Sequence, residues 1–141
     1  MFILTFAVIG LSVFFYIRGM KTTLLFLSVM LSANLFGQNV YIPDTNFKAY
    51  LVNDYLVNTN QDKEIQISEA KSYAGSIYIS YSQITSLIGI EEFSELTYLD
   101  CSNNQIISLD LTNNTQLTSL NCEDNQIISL DLTNNTQLTS L

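Results

Sequence analysis

Two consecutive segments of 21 residues, 100–120 and 121–141, have almost the same sequence. They differ only within their first four positions, and even there the cysteine is kept, as Cys101 and Cys122. A unit of this length cannot bury an apolar row by itself, so neighbouring units must stack to form a core. The chain is therefore predicted to be a solenoid. Its apolar positions recur as Leu96, Leu99, Cys101 and Ile106, and then as Leu117, Leu120, Cys122 and Ile127.

Each unit contains an alternation of apolar and polar residues, Leu99–Cys101 in one and Leu120–Cys122 in the next. This period predicts a short, half-buried strand, and stacking places such strands in parallel about 4.8 Å apart. Asn104 and Asn125 follow the strands, where their amides can bond backbone groups that the turn leaves unpaired. A more divergent unit precedes these, with Ile77 lying 22 residues before Leu99.

The pattern L-x-x-L-x-[L/C]-x-x-N-x-I over residues 75–141 resembles the leucine-rich repeat family. It is most similar to the secreted, bacterial, internalin-like type, in which a cysteine replaces one strand leucine in 21-residue repeats. The resemblance implies a leucine-rich repeat solenoid of parallel β-strands in a right-handed coil, mostly β with little helix. The function it implies is protein or glycan binding, or adhesion, at the bacterial cell surface.

Residues 38–74 do not repeat and are predicted to form a small α-helical N-terminal cap. Asp44 and Thr45 are suitable N-cap residues for a helix over 45–57, and a second, short helix is predicted from Ser68. The repeats, in contrast, stop on an apolar strand position, Leu141. We therefore expect residues 75–141 to be the start of a longer repeat array, truncated at its C-terminus.

The loop between the two predicted helices, residues 58–69, resembles a 12-residue EF-hand calcium loop. Lys63 stands where such a loop has glycine, and an asparagine stands where the first ligand is usually aspartate. The sequence therefore predicts at most weak Ca²⁺ binding and no other cofactor, and the alternative is an ordinary polar loop. The predicted ligands are Asn58, Asn60, Asp62, Glu64 (through its carbonyl) and Glu69.

The first 37 residues contain two apolar runs, 2–17 and 22–36. Counted from Met20, Lys21 provides a positively charged start, residues 24–31 form an apolar centre, and small residues form a cleavage region before Gln38. This order predicts a signal peptide. Residues 1–19 would then be an upstream extension. The alternatives are a hairpin of two membrane helices or one uncleaved anchor, although each run is shorter than the roughly 20 residues that span a bilayer. Secretion or cell-surface display is expected, with membrane contact only through this segment.

Cys101 and Cys122 are the only cysteines and lie one period apart. An exported protein favours a disulfide, but side chains from in-register strands point inward in parallel, which is a poor orientation for one. We expect free thiols that pack as small apolar groups. Zinc is a weaker alternative, because two sulfurs and no histidine do not complete a site.

Side chains that alternate with the apolar positions are predicted to face solvent and form a binding face. Tyrosines near the first strand are the strongest candidates because tyrosine is favoured at interfaces. Stacking also puts Asp110 beside Asp131, a like-charge pair that costs stability. The alternative is a solvated surface without a ligand. The candidates are Tyr78, Tyr81, Tyr98, Asp100, Asn121, Glu123, Asp110 and Asp131.

Residues 38–141 contain all 13 acidic residues and only three lysines, a formal net charge of −10. Such a surface repels phosphates, so a nucleic acid is not an expected partner, whereas a basic protein surface is. With no histidine to activate a serine, no catalytic constellation is found, and the chain is not expected to be an enzyme. Two other functions stay open: a cell-surface spacer without a ligand, and an accessory N-terminal region of a larger secreted enzyme.

Overall fold

The computed structural model describes residues 5–9, 12–16 and 38–141, and the chain divides into two compact units, Met1–Gly37 and Gln38–Leu141. In the first unit, strand β1 (Thr5–Ile9) pairs antiparallel with β2 (Ser12–Tyr16). The predicted signal segment, residues 20–37, lies outside the described residues. No helix in the described ranges has the length and apolar character that crossing a membrane requires.

Helix α1 (Thr45–Asn53) begins where Asp44 Oδ1 accepts hydrogen bonds from the N–H groups of Asn46 and Phe47, both at 3.0 Å. It ends at Asn53 rather than at residue 57, because Asp54 is extended and its side chain accepts from the Leu56 N–H at 2.9 Å. The turn that follows leaves Tyr55, which the predicted helix would include, 73% exposed.

Helix α2 (Ile67–Ser72) begins one residue before Ser68, and Gln66 is its N-cap residue. The Glu69 carboxylate accepts the Gln66 N–H at 3.0 Å, which closes a capping box. Gln66 also forms an isolated antiparallel bridge with Asn39. The second helix is therefore fixed at its start by its own side chains and by the segment that leads into α1.

Three parallel strands follow in chain order: β3 (Ser76–Tyr78), β4 (Tyr98–Asp100) and β5 (Ser119–Asn121). Ile77 lies opposite Leu99, and Leu99 opposite Leu120, so the register follows the 22- and 21-residue offsets of the sequence. Ser140 adds a single parallel bridge to Ser119. The parallel, in-register strands predicted from the repeat are confirmed.

Between the strands, the described coils are built from turns, and the first coil adds a short 3₁₀ helix, Ile90–Glu92. Gly89 precedes it with φ of +105°, and a Cβ there would come within 2.8 Å of the Ile42 side chain and 3.0 Å of the Tyr41 carbonyl oxygen. Glycine is required at this position for both its conformation and its close contact.

One apolar core runs from the helices into the coils. Helix residues such as Phe47 and Leu51 are fully buried, as are the inward residues of β3 and β4, Ile77 and Leu99. Tyr73 and Phe93 meet edge to face with ring centroids 6.2 Å apart. Residues 38–74 and the repeats therefore share a single core.

Candidate functional site

The outward side chains of β3, β4 and β5 form a surface that we call the strand face. On each strand the central residue is buried, and the residues on either side of it point outward. Tyr78 lies in register with Asp100, and Asp100 with Asn121, so these three side chains form one row across the sheet. The strand face consists of Ser76, Tyr78, Tyr98, Asp100, Ser119 and Asn121.

Two of the predicted binding tyrosines are in contact on the strand face. The rings of Tyr78 and Tyr98 have centroids 4.9 Å apart and planes inclined by 34°. Tyr78 is still 58% exposed. Its N–H group donates to the Tyr50 hydroxyl at 3.1 Å, which ties the edge of the sheet to α1. Tyr81 lies beyond the end of β3, 77% exposed and with φ of +54°.

The polar residues of the strand face are held by local hydrogen bonds. Asp100 Oδ1 accepts the N–H of Ser102 at 3.0 Å and its hydroxyl at 2.7 Å. Asn121 Oδ1 accepts the Glu123 N–H at 3.2 Å. No described residue donates to Asp100 Oδ2, and Asp100 is the register partner of Tyr78 on the neighbouring strand.

Asp110 and Asp131, which are also predicted to belong to the binding face, lie in the second half of their coils, outside the sheet. The hydroxyl and the N–H of Thr112 bond Asp110 Oδ1 at 2.7 and 3.0 Å, and lower the pKa of Asp110. Thr133 bonds Asp131 in the same way and lowers the pKa of Asp131. The hydrogen bonds from the threonines, and not the neighbouring carboxylate, determine the direction of both pKa shifts.

The asparagines that follow the strands form a ladder of hydrogen bonds between coils. Asn104 Nδ2 donates to the carbonyls of Ile79, Cys101 and Ser102 at 2.7–3.1 Å. Its Oδ1 accepts the N–H groups of Ser82 and Ile84 at 3.1 and 2.9 Å. Asn125 repeats the arrangement one coil later, donating to the carbonyls of Cys101, Cys122 and Glu123 and accepting from the Ile106 N–H.

A second asparagine ladder was not predicted. Asn114 Nδ2 donates to the carbonyls of Ile90 and Phe93 at 2.9 and 2.8 Å, and Asn135 Nδ2 to those of Leu111 and Asn114, both at 2.9 Å. Both side chains are buried. The signal was present, because Asn114 and Asn135 occupy the same position of the 21-residue unit.

Cys101 and Cys122 carry free thiols and continue the neighbouring strands β4 and β5. Cys101 is fully buried, and burial is the main cause that raises its pKa to about 12, followed by its neighbours Cys122 and Asp100. Cys122 is half-buried, and burial and then Glu123 raise its pKa. Both sulfurs are therefore held as thiols at neutral pH.

The predicted calcium loop is closed by its own hydrogen bonds. Glu69 Oε1 accepts the N–H and hydroxyl of Thr59, both at 2.8 Å, and the Asn60 N–H at 3.2 Å. Asn60 Oδ1 accepts the Asp62 N–H, and Asp62 Oδ1 accepts the Glu64 N–H.

Asn58 is buried, and its Nδ2 donates to the carbonyls of Val52 and Asp62, while its Oδ1 has no partner within residues 38–141. In the described part of the chain, no three Cys, Asp or Glu side chains are grouped so as to hold a metal ion. Calcium binding stays a prediction, which calorimetry on the full chain tests: heat at millimolar calcium confirms it, and its absence contradicts it.

Solved structures with the same fold come from Listeria monocytogenes. The functional domain of InlJ, which includes a cysteine ladder, is 35% identical with a TM-score of 0.62, and the match covers 74% of this chain and 23% of that one. The internalin InlF is 24% identical with a TM-score of 0.64, covering 76% of this chain and 32% of that one. No protein-family model and no curated protein sequence matches the chain.

Parallel strands at a 21-residue period, asparagines that bond from coil to coil, and a cysteine directly after each of β4 and β5 define a leucine-rich repeat solenoid. The chain is similar to the internalin-like type of the leucine-rich repeat family, and its own repeats are of 21 residues and contain cysteine. It spans less than a third of either solved Listeria chain, 23% and 32% of their lengths.

Proposed function

We propose that this chain is a binding or adhesion module, exported to the bacterial cell surface, that recognises a protein or glycan through its strand face. The observation that carries the proposal is the Tyr78–Tyr98 pair on a hydrogen-bonded sheet, in which Tyr78 is exposed and Tyr98 is half-buried. Tyrosine provides a large contact area at a small cost in conformational entropy, and rigid anchors lower the cost of association. The likeness to internalins supports the same class of function.

The strand face is tested by displaying the full chain, beside its Tyr78→Ala, Tyr98→Ala double variant, to arrays of bacterial and host surface proteins and glycans. We expect the native chain to retain a ligand that the double variant loses. Tyr55→Ala is the matched control, because it removes another largely exposed tyrosine that lies outside the sheet. Equal binding by the native chain and the double variant would contradict the proposal.

Residues 38–74 are proposed to act as the N-terminal cap of the solenoid. Three contacts support this role: Tyr50 bonds the free edge of β3, Asp44 bonds Thr85 in the first coil, and the helices share the core of the repeats. A sheet edge that is covered in this way is protected from pairing with other chains.

A spacer without a ligand is the second candidate function, favoured by the near identity of segments 100–120 and 121–141. Repeats that differ little present the same side chains again and again, which serves length more directly than recognition. The same arrays separate the two functions, because a spacer retains no ligand in any variant.

A further inference from the structure

The repeats carry negative charge with no compensating cation. Residues 72–141 contain no lysine, arginine or histidine. Within the described ranges, the one ion pair joins Lys48 Nζ to Glu64 Oε2 at 2.7 Å, outside the repeats. The repeat surface therefore attracts cationic partners and repels anionic ones over about a Debye length. Its carboxylates are Glu91, Glu92, Glu95, Asp100, Asp110, Glu123, Asp124 and Asp131.

One of these carboxylates, that of Asp100, neighbours the tyrosine pair on the strand face. Asp100 is in register with Tyr78 on the neighbouring strand, and it follows Tyr98 by two residues on the same outward side. Its Oδ1 is fixed by Ser102, and its Oδ2 accepts nothing from the described residues. A cation placed over the tyrosine rings would therefore meet a pre-oriented, unused carboxylate oxygen.

We propose that the partner of the strand face is a cationic protein segment, with an arginine or lysine side chain that stacks on Tyr78 and Tyr98 and pairs with Asp100. This proposal rests on the proposed function, because it names the chemistry of the partner for the same surface. An aromatic face attracts a cation within about 6 Å of its centroid, and a guanidinium can bond a carboxylate at the same time.

Charge complementarity favours a protein segment over a glycan. A neutral sugar stacks on tyrosine without using Asp100 as an ion, and acidic sugars are repelled by the net charge of the repeats. A basic segment uses both the aromatic pair and the carboxylate. The negative electrostatic field of all the repeats also attracts a basic segment, so the affinity for that segment is expected to fall as added salt screens the field.

The test measures binding of the full chain, by fluorescence anisotropy, to three labelled peptides of equal length: alternating arginine and serine, lysine and serine, and glutamate and serine. We expect the arginine peptide to bind most tightly and the glutamate peptide not at all. Raising NaCl from about 0.05 M to about 0.5 M is expected to weaken the arginine peptide at least about fivefold. An arginine peptide that binds no better than the glutamate peptide would overturn the proposal.

Variants of the chain locate the contact. Tyr78→Ala and Asp100→Asn are each expected to weaken the arginine peptide about three- to tenfold, whereas Tyr55→Ala changes it less than about twofold. Asp124→Asn is the matched charge control, because it removes one carboxylate outside the sheet and creates the residue found one coil earlier, Asn103, at a similar positive φ. If Asp124→Asn weakens binding as much as Asp100→Asn, only the general field acts, and the proposed site is wrong.

Failure of this proposal is distinguishable from failure of the proposed function. A neutral glycan that binds through Tyr78, with an affinity that salt does not change, leaves the strand face as a binding surface and overturns the cationic partner. No binding of any peptide or array ligand overturns both.

Discussion

At the scale of the single residue, Asn104 bonds five backbone groups from two neighbouring coils. Asn104 is buried and four of the five hydrogen bonds are buried, so water does not replace the amide for those groups. Asn104→Ala is therefore expected to lower the free energy of unfolding by about 3 kcal/mol or more, measured by urea denaturation of the full chain.

Two further variants make this prediction specific to the amide. Asn104→Asp keeps the acceptor oxygens but loses the three donated bonds and adds a buried charge, so we expect it to be as destabilising as alanine. Asn113→Ala removes an exposed asparagine of the same coil and is expected to change stability by less than about 0.5 kcal/mol. Equal effects at positions 104 and 113 would contradict the role of the ladder.

The two cysteines give a second prediction at this scale. In the native chain without reductant, an alkylating reagent is expected to modify half-buried Cys122 faster than buried Cys101. Because both thiol pKa values are raised, both reactions should be slow at neutral pH and accelerate as the pH rises. Mass spectrometry after unfolding in the same reagent should show two modified sulfurs, and two unmodified sulfurs would indicate a disulfide.

At the scale of the secondary-structure element, Asp44 joins α1 to the first coil. Its Oδ1 caps the helix, and its Oδ2 accepts the N–H and hydroxyl of Thr85, both at 2.9 Å, and the Ser86 N–H at 3.3 Å. Burial raises the pKa of Asp44, but the hydrogen bonds from Thr85, Phe47 and Asn46 together hold it below its ordinary value of 3.8.

Asp44→Asn is expected to lower the free energy of unfolding at neutral pH by about 1–2 kcal/mol. The amide NH₂ of asparagine would face backbone N–H groups that need an acceptor, and its neutral oxygen accepts more weakly than a carboxylate. Since the folded-state pKa is depressed, this stabilisation is complete above the unfolded pKa of about 4 and is lost as the pH falls through the folded value. The difference between native chain and variant should therefore shrink below about pH 4. Asp54→Asn, which removes a carboxylate bonded only to the Leu56 N–H, is the control; a difference at Asp44 that is independent of pH would contradict the account.

The sequence predicted those elements whose positions are set by the repeat. Because the 21-residue period fixes which residues lie opposite each other, the parallel register of β4 and β5 and the places of Asn104 and Asn125 followed from spacing alone. The end of α1 did not, since it depends on a local competition in which the Asp54 side chain forms a turn.

The candidate site was predictable in part. Outward positions on the strands could be read from the alternation, but the contact between Tyr78 and Tyr98 is diagonal across two strands and depends on side-chain orientation. Asp110 and Asp131 lie outside the sheet, because the second half of the coil repeats the sequence pattern of a strand without forming one.

At the scale of the whole molecule, the unbalanced charge of the repeats opposes their stacking. Raising NaCl from about 0.05 M to about 0.5 M is therefore expected to raise the thermal midpoint of unfolding by about 2–5 °C, as screening relieves the repulsion. The Asp110→Asn, Asp131→Asn double variant, which removes one stacked carboxylate from each of two coils, should gain less from salt. A midpoint that does not change with salt would show that the repulsion is negligible.

The central claim is that the strand face is where a partner binds, and hydrogen–deuterium exchange of the full chain, with and without a ligand from the arrays, tests it most directly. We predict that the ligand slows exchange in residues 76–82, 98–102 and 119–123, which carry the tyrosine pair and the row formed by Tyr78, Asp100 and Asn121. Slowed exchange in residues 108–112 and 129–133 instead, around Asp110 and Asp131, would contradict the claim and place the binding surface on the second half of the coils.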